Sequence, residues 1–162
     1  MFHRRHFLIL STAMLLSACG PPAKVQMPGG TTLILTRHAD RSYDVLNETG
    51  KARAKALVAA LEGMPIDAIY SPGIQRNLDT AAPLAKARGL PVQRIPAENP
   101  AARLMQVGKG KTIVWIGNKG NLQSIWEALN APEPPPLEYG DLYIVKPARL
   151  GRPVVERRHY GP

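Results

Sequence analysis

Thr31-Thr32-Leu33-Ile34-Leu35-Thr36-Arg37-His38-Ala39-Asp40 is the stretch around which the rest of the chain can be organised. Its apolar, β-branched run from Thr32 to Leu35 reads as a buried strand that delivers a guanidinium and an imidazole, Arg37 and His38, at its carboxyl end. Open α/β sheets keep their ligands at that end of their strands. A neutral imidazole is a good nucleophile toward phosphorus, and a neighbouring guanidinium can grip two phosphate oxygens as a fork, so the pair suits phosphoryl transfer. Taken alone the pair says little, because most Arg-His dipeptides at strand ends are simply solvated.

Outward from this strand, the polar segment Asp40 to Asn47 lacks a pattern and reads as a loop. Glu48 to Leu61 is Ala-rich and amphipathic, with Ala54, Leu57, Val58 and Leu61 on one face, Lys51, Arg53 and Lys55 elsewhere, and Asn47 or Thr49 as N-cap. Gly63 and Pro65 end that helix. Ile66 to Tyr70 reads as a second strand, followed by a helix from Ile74 to Arg88 that Pro83 should kink or restart. Leu90 to Ile95 is a third strand, Asn99 to Val107 a short helix, and Lys111 to Gly117 the clearest buried strand. Asn118 to Asn121 then reads as an exit loop, and Leu122 to Leu129 as a helix with Leu122, Ile125, Trp126 and Leu129 inward. After a Pro-rich loop come two late strands, Leu142 to Val145 and Val154 to Arg157. Strands alternating with helices predict a mostly parallel sheet covered on both faces, a three-layer α/β/α sandwich formed by residues 31–162.

The chain has 162 residues, 44% hydrophobic and 20% charged, enough for one domain with a proper core. Its formal net charge of +9 points to anionic partners. Only 6% of residues are aromatic and no nucleic-acid motif is present, so no nucleic-acid partner is expected. Cys19 is the single cysteine, which excludes an internal disulfide and a cysteine-rich zinc site; no metal and no cofactor are expected. Arg4 and Arg5, an apolar run from Phe7 to Ala18 and Leu16-Ser17-Ala18-Cys19 form an export signal over residues 1–19, too short to span a bilayer as a mature helix. Its end resembles the bacterial lipobox, which implies lipidation of Cys19, a membrane anchor and a place in the cell envelope, on the periplasmic face of the outer membrane. Arg4-Arg5-His6-Phe7-Leu8 also resembles a twin-arginine motif, and the export route stays open. Residues 20–30, rich in Pro and Gly, read as a flexible tether.

A second arginine follows the second strand in Ser71-Pro72-Gly73-Ile74-Gln75-Arg76, at a helix start where backbone N–H groups favour an anion. A third strand end offers Gly117-Asn118. At this point the chain resembles the histidine phosphatase superfamily, with its phosphoglycerate-mutase-like fold. The residues carrying the likeness are Arg37-His38-Ala39-Asp40, Leu46-Asn47-Glu48-Thr49-Gly50 before the Ala-rich helix, Arg76 with Thr80-Ala81, and Ile116-Gly117-Asn118. Ala39 stands where glycine is commoner.

The resemblance implies that His38 is the nucleophile, phosphorylated in turnover, and that Arg37 and Arg76 clamp a phosphorylated small molecule. The family's second pocket histidine corresponds here to Asn118, which can donate one hydrogen bond but carries no charge. Losing such an electrostatic donor commonly costs a factor of about 100 to 1000 in rate. The family draws its general acid from a variable loop, for which Glu98 and Asp40 are candidates. Two readings stay open: a lipid-anchored phosphomonoester hydrolase weakened by Asn118, and an inactive relative that binds phosphorylated ligands or anionic envelope components.

Overall fold

A computed structural model describes residues 24–162; the expected signal over 1–19 and the lipidation site Cys19 lie outside the described residues. The first strand, β1 (Thr32–Arg37), is central and buried along its length. It is followed by a small hairpin of β2 (Arg41–Ser42) and β3 (Val45–Leu46), helix α1 (Glu48–Ala60), β4 (Ala68–Ser71) and helix α2 (Gln75–Arg88). Then come β5 (Val92–Arg94), α3 (Ala101–Val107), β6 (Thr112–Gly117), α4 (Lys119–Ala128), β7 (Asp141–Lys146) and β8 (Val154–His159). The sheet order is β5-β4-β6-β1-β7-β8. β1, β4, β5 and β6 run parallel, and β7 is antiparallel to both its neighbours.

Alternation along the strands sorts the core into two layers, as a period of two requires. Leu33, Leu35, Ile113 and Trp115 face α3 and α4, whereas Ile34, Val114 and Ile116 face α1 and α2. Both faces of the sheet are therefore covered, which is why β1 and β6 read as continuous apolar runs. The expected α/β/α sandwich with a mostly parallel sheet is the observed architecture.

Four local readings need correction. Asp40 to Asn47 is a hairpin as well as a loop, because Arg41 pairs with Leu46 and Ser42 with Val45. α2 runs unbroken through Pro83. The segment 118–121, expected to be an exit loop, is the capped first turn of α4: the Asn118 side chain accepts from the Asn121 N–H, and the Asn121 side chain accepts in return from the Asn118 N–H. Finally, the expected tether over 20–30 is docked from residue 24 onward. The Val25 N–H donates to the Ala128 carbonyl at 2.8 Å, Lys24 donates to the Glu127 carbonyl, and Val25 and Met27 pack against the core. Among the described residues no helix is long and apolar enough to cross a membrane.

Candidate active site

The pairing register places Arg37 opposite Gly117, so β1 and β6 end at one level. The chain leaves β1 through His38, whose N–H donates to the Gly117 carbonyl at 2.8 Å. The next N–H, of Ala39, donates to Thr80 Oγ1 at 2.9 Å, and that hydroxyl donates to the Arg76 carbonyl at 2.8 Å. Thr80 thus ties the turn after β1 to the first turn of α2, the turn that carries Arg76. Asn77 and Ser71 each donate to the Ile116 carbonyl at 3.1 Å, fastening the same helix start to the end of β6. Three strand ends distant in sequence converge through these bonds.

His38 is 2% exposed, and its Nδ1 lies 2.9 Å from the Ala39 carbonyl. A carbonyl can only accept, so Nδ1 carries the proton and Nε2 keeps its lone pair. Burial, with further contributions from Arg37, Arg76 and Arg41, pushes the imidazole pKa down from 6.5 to about 4. The ring is neutral at pH 7 and its outer nitrogen is free to attack.

Arg37 lies with its guanidinium 3.9 Å from the ring centroid of Tyr139, and donates from one terminal nitrogen to the Leu137 carbonyl at 3.1 Å. The Tyr139 ring also stands 5.8 Å from that of His38, forming an aromatic wall beside both. Arg76 reaches Asp44, on the turn between β2 and β3, at 3.4 Å. In both arginines the Nε–H is buried and has no partner. A buried guanidinium N–H left unpaired is costly, and two of them beside one neutral imidazole mark a place built for an anion.

Asp40 is held by the buried Arg53, whose Nε donates to its carboxylate at 2.6 Å; another Arg53 nitrogen donates to the Tyr160 carbonyl at 2.6 Å. The Tyr160 hydroxyl meets Thr36 Oγ1 at 3.1 Å, and burial pushes its phenol up to about 12, so it stays protonated. Asp40 therefore braces the turn after β1, and its carboxylate is committed to Arg53. A Cβ at Gly50 would collide with the Asp40 carbonyl, so the Asn47-to-Gly50 motif is what lets α1 abut this turn.

Glu98 is exposed on the loop between β5 and α3, and neighbouring Asn99 meets Ser124 of α4 at 3.3 Å. Asn118, partly buried, spends its side-chain oxygen on the cap and keeps its NH2 as a donor. A Cβ at Gly117 would strike Asn121 and Trp115, so only glycine fits before that cap. Lys119 is paired with Glu138 at 3.4 Å, and His159 closes β8 at 3.7 Å from Asp141.

Sequence reasoning missed Arg53, Asp44 and Tyr139. Arg53 had a signal, since Gly50, Arg53 and Leu57 share one helical stripe. Asp44 and Tyr139 had none, lying in loops whose course is set only by the folded sheet.

A mostly parallel α/β sheet here gathers an imidazole and two arginines at its strand ends, a set of groups chemically suited to a phosphate. The sequence model of the family described as histidine phosphatase superfamily (branch 1) matches residues 31–97. No curated protein sequence matches the chain. Among solved structures it is similar to phosphoserine phosphatase of Entamoeba histolytica in complex with 3-phosphoglyceric acid, with 18% identity, TM-score 0.63, and coverage of 82% of this chain and 97% of that one. It is also similar to a mycobacterial glucosyl-3-phosphoglycerate phosphatase in complex with inorganic phosphate (16% identity, TM-score 0.58, 82% and 97% covered). Bacillus stearothermophilus YhfR gives 19% identity and TM-score 0.63, with 79% and 96% covered. The family model thus matches the segment from β1 to the loop after β5, and the solved structures share the fold.

Proposed function

We propose that this protein binds phosphate monoesters at the carboxyl end of β1 and hydrolyses them slowly through a phosphohistidine at His38. The observation that carries this reading is the neutral, buried His38 with a free Nε2 between two arginines whose Nε–H donors lack partners. Nε2 attacks phosphorus, the P–O bond to the leaving group breaks, and water then takes the phosphoryl group from the imidazole. Arg37 and Arg76 offset the charge on the equatorial oxygens. Entry of phosphate displaces Asp44 from Arg76. The NH2 of Asn118 and the N-terminus of α4 add donors without a full charge, which is why turnover is slow. Asp40 is committed to Arg53, so Glu98 is the remaining sequence candidate for protonating the leaving alkoxide.

The test is incubation with p-nitrophenyl phosphate, followed by a search for acid-labile, base-stable phosphate on His38. Label on His38 with slow product release supports the reading. Vanadate binding with neither label nor product would establish the other one, a phosphate-binding relative without turnover. No vanadate binding at all would remove both.

We also propose that the chain is exported and anchored through lipidated Cys19, with residues 1–18 removed, on the periplasmic face of the outer membrane; Gly20 after the cysteine supports that sorting by resemblance to sorted lipoproteins. Mass spectrometry of the protein from a native membrane fraction checks it, and an intact Met1 or unmodified Cys19 would sink it.

A further inference from the structure

The end of the sheet opposite His38 has its own chemistry. β7 runs antiparallel to β1, so the turn from Pro147 to Pro153 that joins β7 to β8 lies beside the amino end of β1. Leu150 stands 92% exposed on this turn between Arg149 and Arg152, and Val154 just beyond it is 61% exposed. Lys24, Val25 and Met27 line a depression of about 540 Å³ together with Arg149 and Leu150. The Lys109–Lys111 turn before β6 is at the same end, where Gly110 touches Gly30. Lys24, Lys109, Lys111, Lys146, Arg149 and Arg152 are all exposed there.

We infer that the β7–β8 turn is a membrane-docking surface for an anionic lipid bilayer, with Leu150 entering the headgroup layer and Arg149 and Arg152 flanking it on lipid phosphates. Exposed Leu between two arginines is the composition of an interfacial anchor, apolar at the tip and basic at the rim. The occupant follows from where the described chain begins. Lys24 lies on this face, and five residues span at most about 18 Å, so a lipid on Cys19 would hold this end, and no other, against the membrane. β1 is six residues long, which sets His38 about 20 Å farther out, facing away from the bilayer. The charge and exposure of the turn do not depend on the phosphate chemistry of the opposite end.

The experiment uses residues 19–162 carrying Cys19→Ser, so that neither an acyl group nor the apolar Phe7–Ala18 run contributes, floated with vesicles of phosphatidylcholine alone or with 30% phosphatidylglycerol. Partitioning onto the anionic vesicles should exceed that onto neutral ones at least about 10-fold and fall as salt rises. The triple variant Arg149→Gln, Arg152→Gln, Leu150→Ser, on an exposed turn, should lose about 10- to 30-fold of it, while Arg157→Gln, Arg158→Gln on β8 should lose less than about 3-fold. Equal partitioning of parent and triple variant would overturn the inference. So would binding to soluble dextran sulfate that the triple variant loses without any vesicle partitioning, which would assign the surface to a polyanion instead.

Discussion

β1 and β6 are neighbours, parallel and equally buried, and end at the same level, yet the turns that leave them are built from opposite materials. The β1 turn is braced by charge: Asp40, two residues after His38, is paired with Arg53, which also donates to the Tyr160 carbonyl. The β6 turn is braced by neutral amides, Asn118 and Asn121 capping one another at 3.0 and 3.2 Å. One turn carries the buried imidazole of His38, and the other, where the resemblance implied a second imidazole, carries a helix cap. Asn118 is thus a structural residue: its side-chain oxygen is committed to closing α4, and only its NH2 is left for a ligand. On the proposed reading, that turn offers a bound phosphate neutral donors and a helix start in place of a charge.

The largest expected effect falls on the charged turn. His38→Ala should abolish the phosphohistidine and lower turnover about 10⁴-fold or to background, while vanadate binding persists through the arginines; the label and vanadate titration check both. Arg53→Met should cost about 3 to 5 kcal/mol in urea unfolding, because it leaves the partly buried Asp40 carboxylate unpaired and the Tyr160 carbonyl without its donor. If the loss is below about 1 kcal/mol, the ion pair is not what holds this turn.

Acid comes next. The pKa of His38 is near 4 in the folded chain and 6.5 in the unfolded one, so the unfolded chain takes up a proton first as pH falls. Stability from this group is intact above about pH 6.5 and declines as pH drops toward 4, by about 3 kcal/mol. Melts of wild type and His38→Ala at pH 7 and 4.5 should show that share of acid sensitivity in the wild type alone.

The neutral turn should respond least, and with opposite signs. Asn118→His should lose about 1 kcal/mol of stability with the cap, yet raise phosphomonoester turnover about 10-fold, since bound phosphate favours the protonated ring. Adding His38→Ala should erase the gain. Wild type turning over as fast as Asn118→His would show that neutral donors suffice here.

The same contrast explains what could be read before folding. The strands, the inward face of α4 and, except for Val58 and Arg53, that of α1 were legible because apolar periodicity records burial directly. His38, Arg37 and Arg76 were legible because strand-end residues have their neighbourhood fixed by topology. Arg53 was misplaced on the solvent side, because a charged residue breaks an apolar stripe even when its partner waits inside. Asn118 was read as a loop donor, although Asn at position 118 with Asn three residues later is itself a cap signature. Asp44 and Tyr139 reach the site from segments without period, where only tertiary contacts decide direction.

The central place of β1 has a consequence for how the chain is made. Leu33 pairs with Ile113 on one side and Val145 on the other, and the strand's back wall includes Tyr160. The first of the described strands is thus enclosed only by later ones, and contacts so distant in sequence form slowly. His38 cannot meet Gly117, nor Arg53 the Tyr160 carbonyl, until nearly the whole chain exists. A growing chain therefore carries this apolar strand unpaired until β6 and β7 exist, and the pocket around His38 closes late.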